Sequence, residues 1–276
     1  MALPSRLRSA AAEAARRAAS LKDQVRPPDR GVPVLIYHRV GAATPMSVDL
    51  PVEQFADQVA QISDRTSTLD DALHALRTEA PSPDQPTPVV VTFDDGTADV
   101  LDLALPVLVE HRVPMLLYLA TKFIEDQVWF PHDGRPTSWA ALADGLSTGL
   151  LEIGCHTHSH SLLDRLPAHE VDGELDRSIG LIEDRLGVRP VHFAYPKGLP
   201  GSPQADTAVR RRFRSAAVGG TRTNPYMATD PWDLKRTPVQ VRDDPQAFAA
   251  KIEGGLSFED DLRRVVNRIR YRRAAS

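Results

Sequence analysis

The sequence predicts an α/β fold in which βα units surround a parallel sheet. Two observations carry this. Apolar runs of strand length recur along the chain, among them Val32–Tyr37 (VPVLIY), Thr87–Phe93 (TPVVVTF) and Val113–Ala120 (VPMLLYLA). They lack polar–apolar alternation, which marks strands buried on both faces. Between these runs lie segments with helical spacing, the order of a βα repeat. The length, 276 residues, suits one large α/β domain with short appendages better than two full domains.

Taken in order, the chain opens with apolar steps of three and four at Leu3, Leu7, Ala11, Ala14, Ala18, Leu21 and Val25. They describe one helical stripe flanked by Arg6, Arg8, Arg16, Arg17 and Lys22. Pro27 and Pro28 end that helix and begin a linker. Residues 1–28 are therefore expected to be an appendage, 29–255 the main domain, and 256–276 a second basic helix built around Leu262, Val265, Val266 and Ile269. Such helices can lie on an anionic membrane surface; packing on the domain with solvated arginines is the plainer expectation. After the first strand, Pro51–Ser63 and Thr68–Arg77 read as helices, and Pro81–Pro88 as a loop too rich in proline for anything else. A helix follows the second strand over about Ala98–His111. Leu151–Gly154 and Val191–Tyr195 are further strands, separated by a helical stretch from about Ser161 to Leu186. Ser215–Val218 and Arg236–Val241 are weaker strands.

Composition narrows the function. A formal net charge of -4 gives no basis for a nucleic-acid partner and does not argue against an acidic polymer. Cys155 is the single cysteine, which excludes an intramolecular disulfide and a Cys-based zinc site. No apolar run reaches membrane-spanning length. Arginines interrupt every apolar stretch near the N-terminus, so no secretory core is present and the expected location is the cytoplasm.

In parallel α/β folds, catalytic groups gather at the carboxyl ends of strands. The second strand runs into Thr92-Phe93-Asp94-Asp95-Gly96. Adjacent carboxylates there repel each other; the structural alternative is a cap for the following helix. The fourth strand runs into Gly154-Cys155-His156-Thr157-His158-Ser159-His160, with three of the nine histidines. Four residues apart, His156 and His160 would share one face of a helical turn and could bind one cation, while His158 would point elsewhere. With the neighbouring Asp-Asp they suggest a site of two imidazoles and a carboxylate, a donor set that suits Zn²⁺ or another divalent transition metal. The fifth strand runs into Phe193-Ala194-Tyr195-Pro196-Lys197-Gly198. This is either a simple Pro-Gly turn or one that aims backbone N–H groups and a tyrosine ring at the same pocket.

These three motifs, in this order, resemble those of the polysaccharide deacetylase family, also known as carbohydrate esterase family 4 or the NodB homology domain. The likeness covers roughly Val32 to Ile252. The segment Val34-Leu35-Ile36-Tyr37-His38-Arg39-Val40, with the helix from Pro51, is similar to the subgroup of poly-N-acetylglucosamine deacetylases. The resemblance implies a distorted (β/α) barrel of about seven strands. It implies a metal held by Asp95, His156 and His160, with Asp94 as general base and a backbone N–H from the turn at Tyr195 for the oxyanion. Two departures stand out. The third motif has Ala194 where the family often carries an arginine that orients the base, and Arg236 is the expected substitute. The family's late Leu-x-His is missing, since no histidine follows His192, which leaves His38 and His158 as candidates for the acid. Trp129, Trp232, Tyr195 and Tyr226 are candidates to stack on sugar rings. The expected function is metal-dependent removal of an N-acetyl or related acyl group from an amino sugar of a polysaccharide or glycan precursor. The alternatives are a deformylase or deacetylase of a lipid-linked amino sugar at the cytoplasmic membrane face, and a catalytically silent carbohydrate-binding protein.

Overall fold

Seven parallel strands close into a barrel in sequence order. They are β1 (Val34–Tyr37), β2 (Val90–Asp95), β3 (Met115–Leu119), β4 (Leu151–Cys155), β5 (His192–Ala194), β6 (Ser215–Gly219) and β7 (Leu234–Pro238). Closure comes from β7, which pairs with β6 on one side and β1 on the other. The computed structural model describes residues 27–82 and 84–257, together with Ala19 and Asp23.

Strand alternation sorts the side chains into two layers. Val34, Val90, Leu116, Tyr118, Ala194, Ala217 and Leu234 form one buried cluster and fill the barrel. Leu35, Tyr37, Val91, Phe93 and Leu117 belong to another cluster, which faces the helices. Helix α1 (Val52–Ile62) covers this outer layer. Its Phe55, Val59 and Ile62 recur at steps of four and three on one face. The Phe55 ring meets Tyr37 and Phe93 at centroid distances of 5.1 and 5.8 Å. Truncating Phe55 to alanine would cost about 3–5 kcal/mol. Helix α2 (Leu69–Ala75), capped by the Thr68 hydroxyl on the N–H of Asp71, packs Leu69 and Leu73 against the strand starts and plugs the amino end of the barrel. Further round the wall come α3 (Leu105–His111), α4 (Thr121–Glu125), α5 (Trp139–Leu146), α6 (Ala168–Leu186), α7 (Pro203–Arg212) and α8 (Pro245–Ile252). The carboxyl end of the barrel carries no such plug among the described residues, and the polar motifs stand there.

The expected strands are all present, with shifted ends. Pro33 splits the first run: Gly31–Val32 pairs antiparallel with Asn224–Pro225, and only Val34–Tyr37 joins the barrel. The second strand starts at Val90, past Pro88, and continues through both aspartates. The helix expected from about Ser161 begins at Ala168, because Pro167 restricts the backbone before it. The helix expected over 98–111 is π-helical from Val100 to Ala104 before α3. Of the expected terminal basic helices, only Ala19, Asp23, Leu256 and Ser257 lie among the described residues. Ala19 is fully buried with Ala247 and Leu256, and the Asp23 carboxylate accepts the N–H of Leu256 at 2.6 Å. Among the described residues no helix is long and apolar enough to cross a membrane.

Candidate metal centre at the carboxyl end of the barrel

β2 delivers Asp94 and Asp95 as its last residues. In a regular strand they would face opposite sides. Asp95 instead takes a left-handed φ of 77°, a conformation costing of order 1–3 kcal/mol for a non-glycine residue. Its carbonyl accepts the N–H of Ala120 at 3.0 Å, which holds the turn. Both carboxylates thereby converge on one imidazole: His156 Nε2 lies 3.8 Å from Asp94 Oδ2 and 3.8 Å from Asp95 Oδ1.

His156 follows β4 and donates from Nδ1 to the carbonyl of Ala194, 2.7 Å away, at the end of β5. That bond fixes the tautomer and leaves the Nε2 lone pair facing the carboxylates. His160 Nε2 stands 3.3 Å from Asp95 Oδ1, and the two imidazole centroids are 4.9 Å apart. The segment 156–160 is not the helical turn expected from the spacing. It is a loop with left-handed residues at Thr157 (φ 65°) and His160 (φ 60°), and this path brings the two rings together. His158 turns away, its Nδ1 3.1 Å from the Thr121 hydroxyl.

One ligand atom each from Asp95, His156 and His160 lies within 4.8 Å of the others. A cation bound at about 2.0–2.2 Å to nitrogen and oxygen fits between donors spaced this way. Burial lowers the His160 pKa to about 4, against the opposing pull of Asp95, so the ring stands in its neutral, ligating form. Cys155 is not a ligand: burial pushes its thiol up to about 12, and it donates to the Ser178 hydroxyl.

Asp94 has a different environment. The buried guanidinium of Arg236 grips it bidentately, Nη1 to Oδ1 at 2.6 Å and Nη2 to Oδ2 at 2.9 Å. Arg236 reaches across the barrel interior from β7, with Nη1 also donating to Thr92 Oγ1 at 3.1 Å. The Tyr118 ring lies 4.9 Å from its Cζ. Burial alone would raise the Asp94 pKa, but the Arg236 charge, with His156, holds it well below the usual carboxylate range. His38, at the end of β1, is set toward the same carboxylates. Burial lowers its pKa, Asp94 and Asp95 push it back up, and its Nδ1 has no partner.

The role expected for Tyr195 does not hold. Its N–H donates to the carbonyl of Ala217 at 2.9 Å, and its hydroxyl to Asp206 at 3.2 Å. Its ring packs outside the barrel among Phe193, Leu175 and Ala205. Neither its amide nor its ring is offered to the pocket. The residue of that turn whose charge reaches Asp95, His38 and His160 is Lys197, which is exposed and held in a left-handed conformation, φ 58°. Sequence reasoning missed it; the signal was a lysine between Pro196 and Gly198, where the turn must reverse sharply. Trp232 is committed to packing, its Nε1 donating to the Phe213 carbonyl at 2.9 Å. Tyr226 packs with the α2 cluster at the opposite end of the barrel.

Comparisons with known proteins agree with the fold. Residues 82–215 match the family model described as polysaccharide deacetylase. The uncharacterized protein YlxY of Bacillus subtilis (strain 168) is 26% identical over 132 residues, which is 48% of this chain and 38% of that protein; the match thus spans well under half of that relative. Two solved structures share the fold. The Streptococcus pyogenes deacetylase PplD in complex with acetate has a TM-score of 0.67 at 18% identity, over 81% of this chain and 99% of that one. IcaB from Ammonifex degensii has a TM-score of 0.68 at 24% identity, over 83% and 97%.

Proposed function

We propose that this chain is a member of the polysaccharide deacetylase family and a metal-dependent hydrolase that removes an N-acetyl or similar acyl group from an amino sugar of a polysaccharide or its precursor. The observation that carries the reading is the division of labour between neighbouring carboxylates. Asp95 stands with two imidazoles as a donor set, and Asp94 stands beside it, locked to Arg236. Two nitrogens and one oxygen suit Zn²⁺ among divalent ions. Such an ion, when bound, polarises an amide carbonyl and lowers the pKa of water.

The protein's own groups do the rest. Asp94, close to His156 Nε2 and so to the donor cluster, takes a proton from the attacking water. Arg236 fixes the carboxylate's orientation through two hydrogen bonds, so reaction requires no reorganisation of the base. Lys197 places positive potential at the mouth, where charge develops on the carbonyl oxygen. Expulsion of the amine needs a proton, and protonated Asp94 can return the one it took, with His38 next to it as an assisting group. A catalytically silent binding protein would need neither the base nor its arginine clamp.

The direct test is acetate release from N-acetylglucosamine oligomers. The protein stripped by chelator should be inactive and should regain turnover when a divalent metal is restored. Absence of acetate from any N-acetylated oligosaccharide with metal-replete protein would overturn the assignment.

A further inference from the structure

The catalytic assembly makes no use of the segment between α4 and α5, yet the strand-end segments that carry site residues hold it in place. Just ahead of it, at the start of α4, Thr121 and Lys122 donate their N–H groups to the carbonyls of Thr157 and His158, in the loop between the two candidate histidine ligands. In its middle, Phe130 and Gly134 bridge antiparallel. There the buried Arg39, next to His38, donates to the carbonyls of Pro131 (2.7 Å) and His132 (2.5 Å). At its end, Thr137 donates to the carbonyl of Gly96, next to Asp95, at 3.0 Å. Tied at these three places to segments that carry candidate site residues, residues 126–137 form a rim at the carboxyl end of the barrel.

The rim is held by internal contacts and carries exposed apolar side chains. Phe123 and Phe130 stack with centroids 4.2 Å apart. The Gln127 amide donates to the carbonyls of Ile124 and Thr137. Val128 and Trp129 are 50% and 57% exposed, and Trp129 is the one exposed large aromatic side chain among the described residues. Two adjacent side chains make a patch far smaller than the ~800 Å² per partner of a stable protein interface. Asp126 and Asp133, on either side of it in sequence, are exposed, and acidic residues near the patch disfavour an anionic lipid surface. A pyranose ring fits both features: its C–H face covers an indole, and its hydroxyls find acceptors in flanking carboxylates.

We propose that Trp129 is the platform of a second sugar subsite, on which the ring neighbouring the one being deacylated stacks. The inference rests on the glycan reading above and adds that the substrate is an oligomer. The test compares the full-length wild-type chain with Trp129→Ala and Trp129→Phe on N-acetylglucosamine tetrasaccharide and on the monosaccharide. Trp129→Ala should raise KM for the tetrasaccharide roughly tenfold with little change in kcat. Its loss in kcat/KM should be larger on the tetrasaccharide than on the monosaccharide, and Trp129→Phe should recover most of it. An unchanged tetrasaccharide KM, or equal losses on both substrates, would overturn the subsite. Calorimetric titration of tetrasaccharide into the Asp94→Asn chain separates this from the activity. Roughly tenfold weaker binding once Trp129→Ala is added supports the subsite whether or not acetate is ever released. Equal binding by the two chains, or none by either, overturns it.

Discussion

Asp94 and Asp95 are covalent neighbours with opposite surroundings, and their substitutions should separate. On the proposed mechanism, Asp94→Asn leaves the three donors in place but removes the proton acceptor. It should lower kcat by about 10²–10⁴-fold at nearly unchanged metal content. Asp95→Asn removes a donor and should lower both. Elemental analysis alongside acetate release checks this, and equal behaviour of the two variants would show the roles to be wrongly divided. Arg236 acts through Asp94. Arg236→Lys keeps the charge but cannot grip both oxygens, so it should lose roughly a hundredfold in turnover while retaining metal. Arg236→Met leaves a buried carboxylate without compensation and should cost about 3–5 kcal/mol of stability in denaturant titrations. Turnover unchanged in Arg236→Lys would remove the arginine from the account. Asp94, Asp95, His156 and His160, which the structure brings together, were legible in the sequence as a candidate site because they sit in short motifs at strand ends. The Arg236–Asp94 contact, between residues 142 apart in sequence, was expected only through the family resemblance, because a contact across a barrel interior leaves no local signature.

At the scale of elements, the strands were legible because burial on both faces leaves unbroken apolar runs. The prolines moved their ends, at Pro33 and Pro88. The loop 156–160 was misread as helical because an i, i+4 spacing reports a shared face only where the backbone is helical. Two left-handed residues produced the same convergence by another path. Tyr195 was misplaced by a single step of alternation, since its amide belongs to the β5–β6 ladder and its ring to the outer layer. The amino end of the barrel carries a consequence for pH. His192 is buried there, its Nδ1 2.8 Å from the Ser215 hydroxyl and its Nε2 3.3 Å from Asp70 Oδ1, while Arg214 pairs Asp70 Oδ2 at 3.0 Å. Glu152, whose pKa is raised by burial and then by Asp70 and Asp71, shares this surrounding. Burial lowers the His192 pKa from 6.5, and Asp70 only partly opposes it. The folded chain therefore holds this ring neutral, while the unfolded chain takes up a proton below about 6.5. Stability should be highest above that pH and decline as pH falls toward the lower folded value. Thermal melts at pH 7.5 and pH 5 should show this decline in the wild type and a shallower one in His192→Gln. Parallel slopes would count against it.

Across the whole molecule, the resemblance read from three motifs extends to a closed barrel that the motifs alone do not specify, because closure depends on β7 meeting both β6 and β1. The boundary drawn at Pro27-Pro28 is less clean than composition suggested. With Ala19 buried against Ala247 and Leu256, and Asp23 accepting from Leu256, we expect deletion of residues 1–26 to lower the melting temperature by several degrees and to leave turnover of soluble oligosaccharides largely intact. Lost turnover in a chain that remains folded would instead tie the N-terminal segment to the active site. The account as a whole stands on one cation held by Asp95, His156 and His160. Elemental analysis of the purified wild-type chain and of the His156→Ala/His160→Ala double variant tests that most directly. We predict about one divalent transition metal per wild-type chain and little or none in the double variant; equal metal content in the two would contradict it.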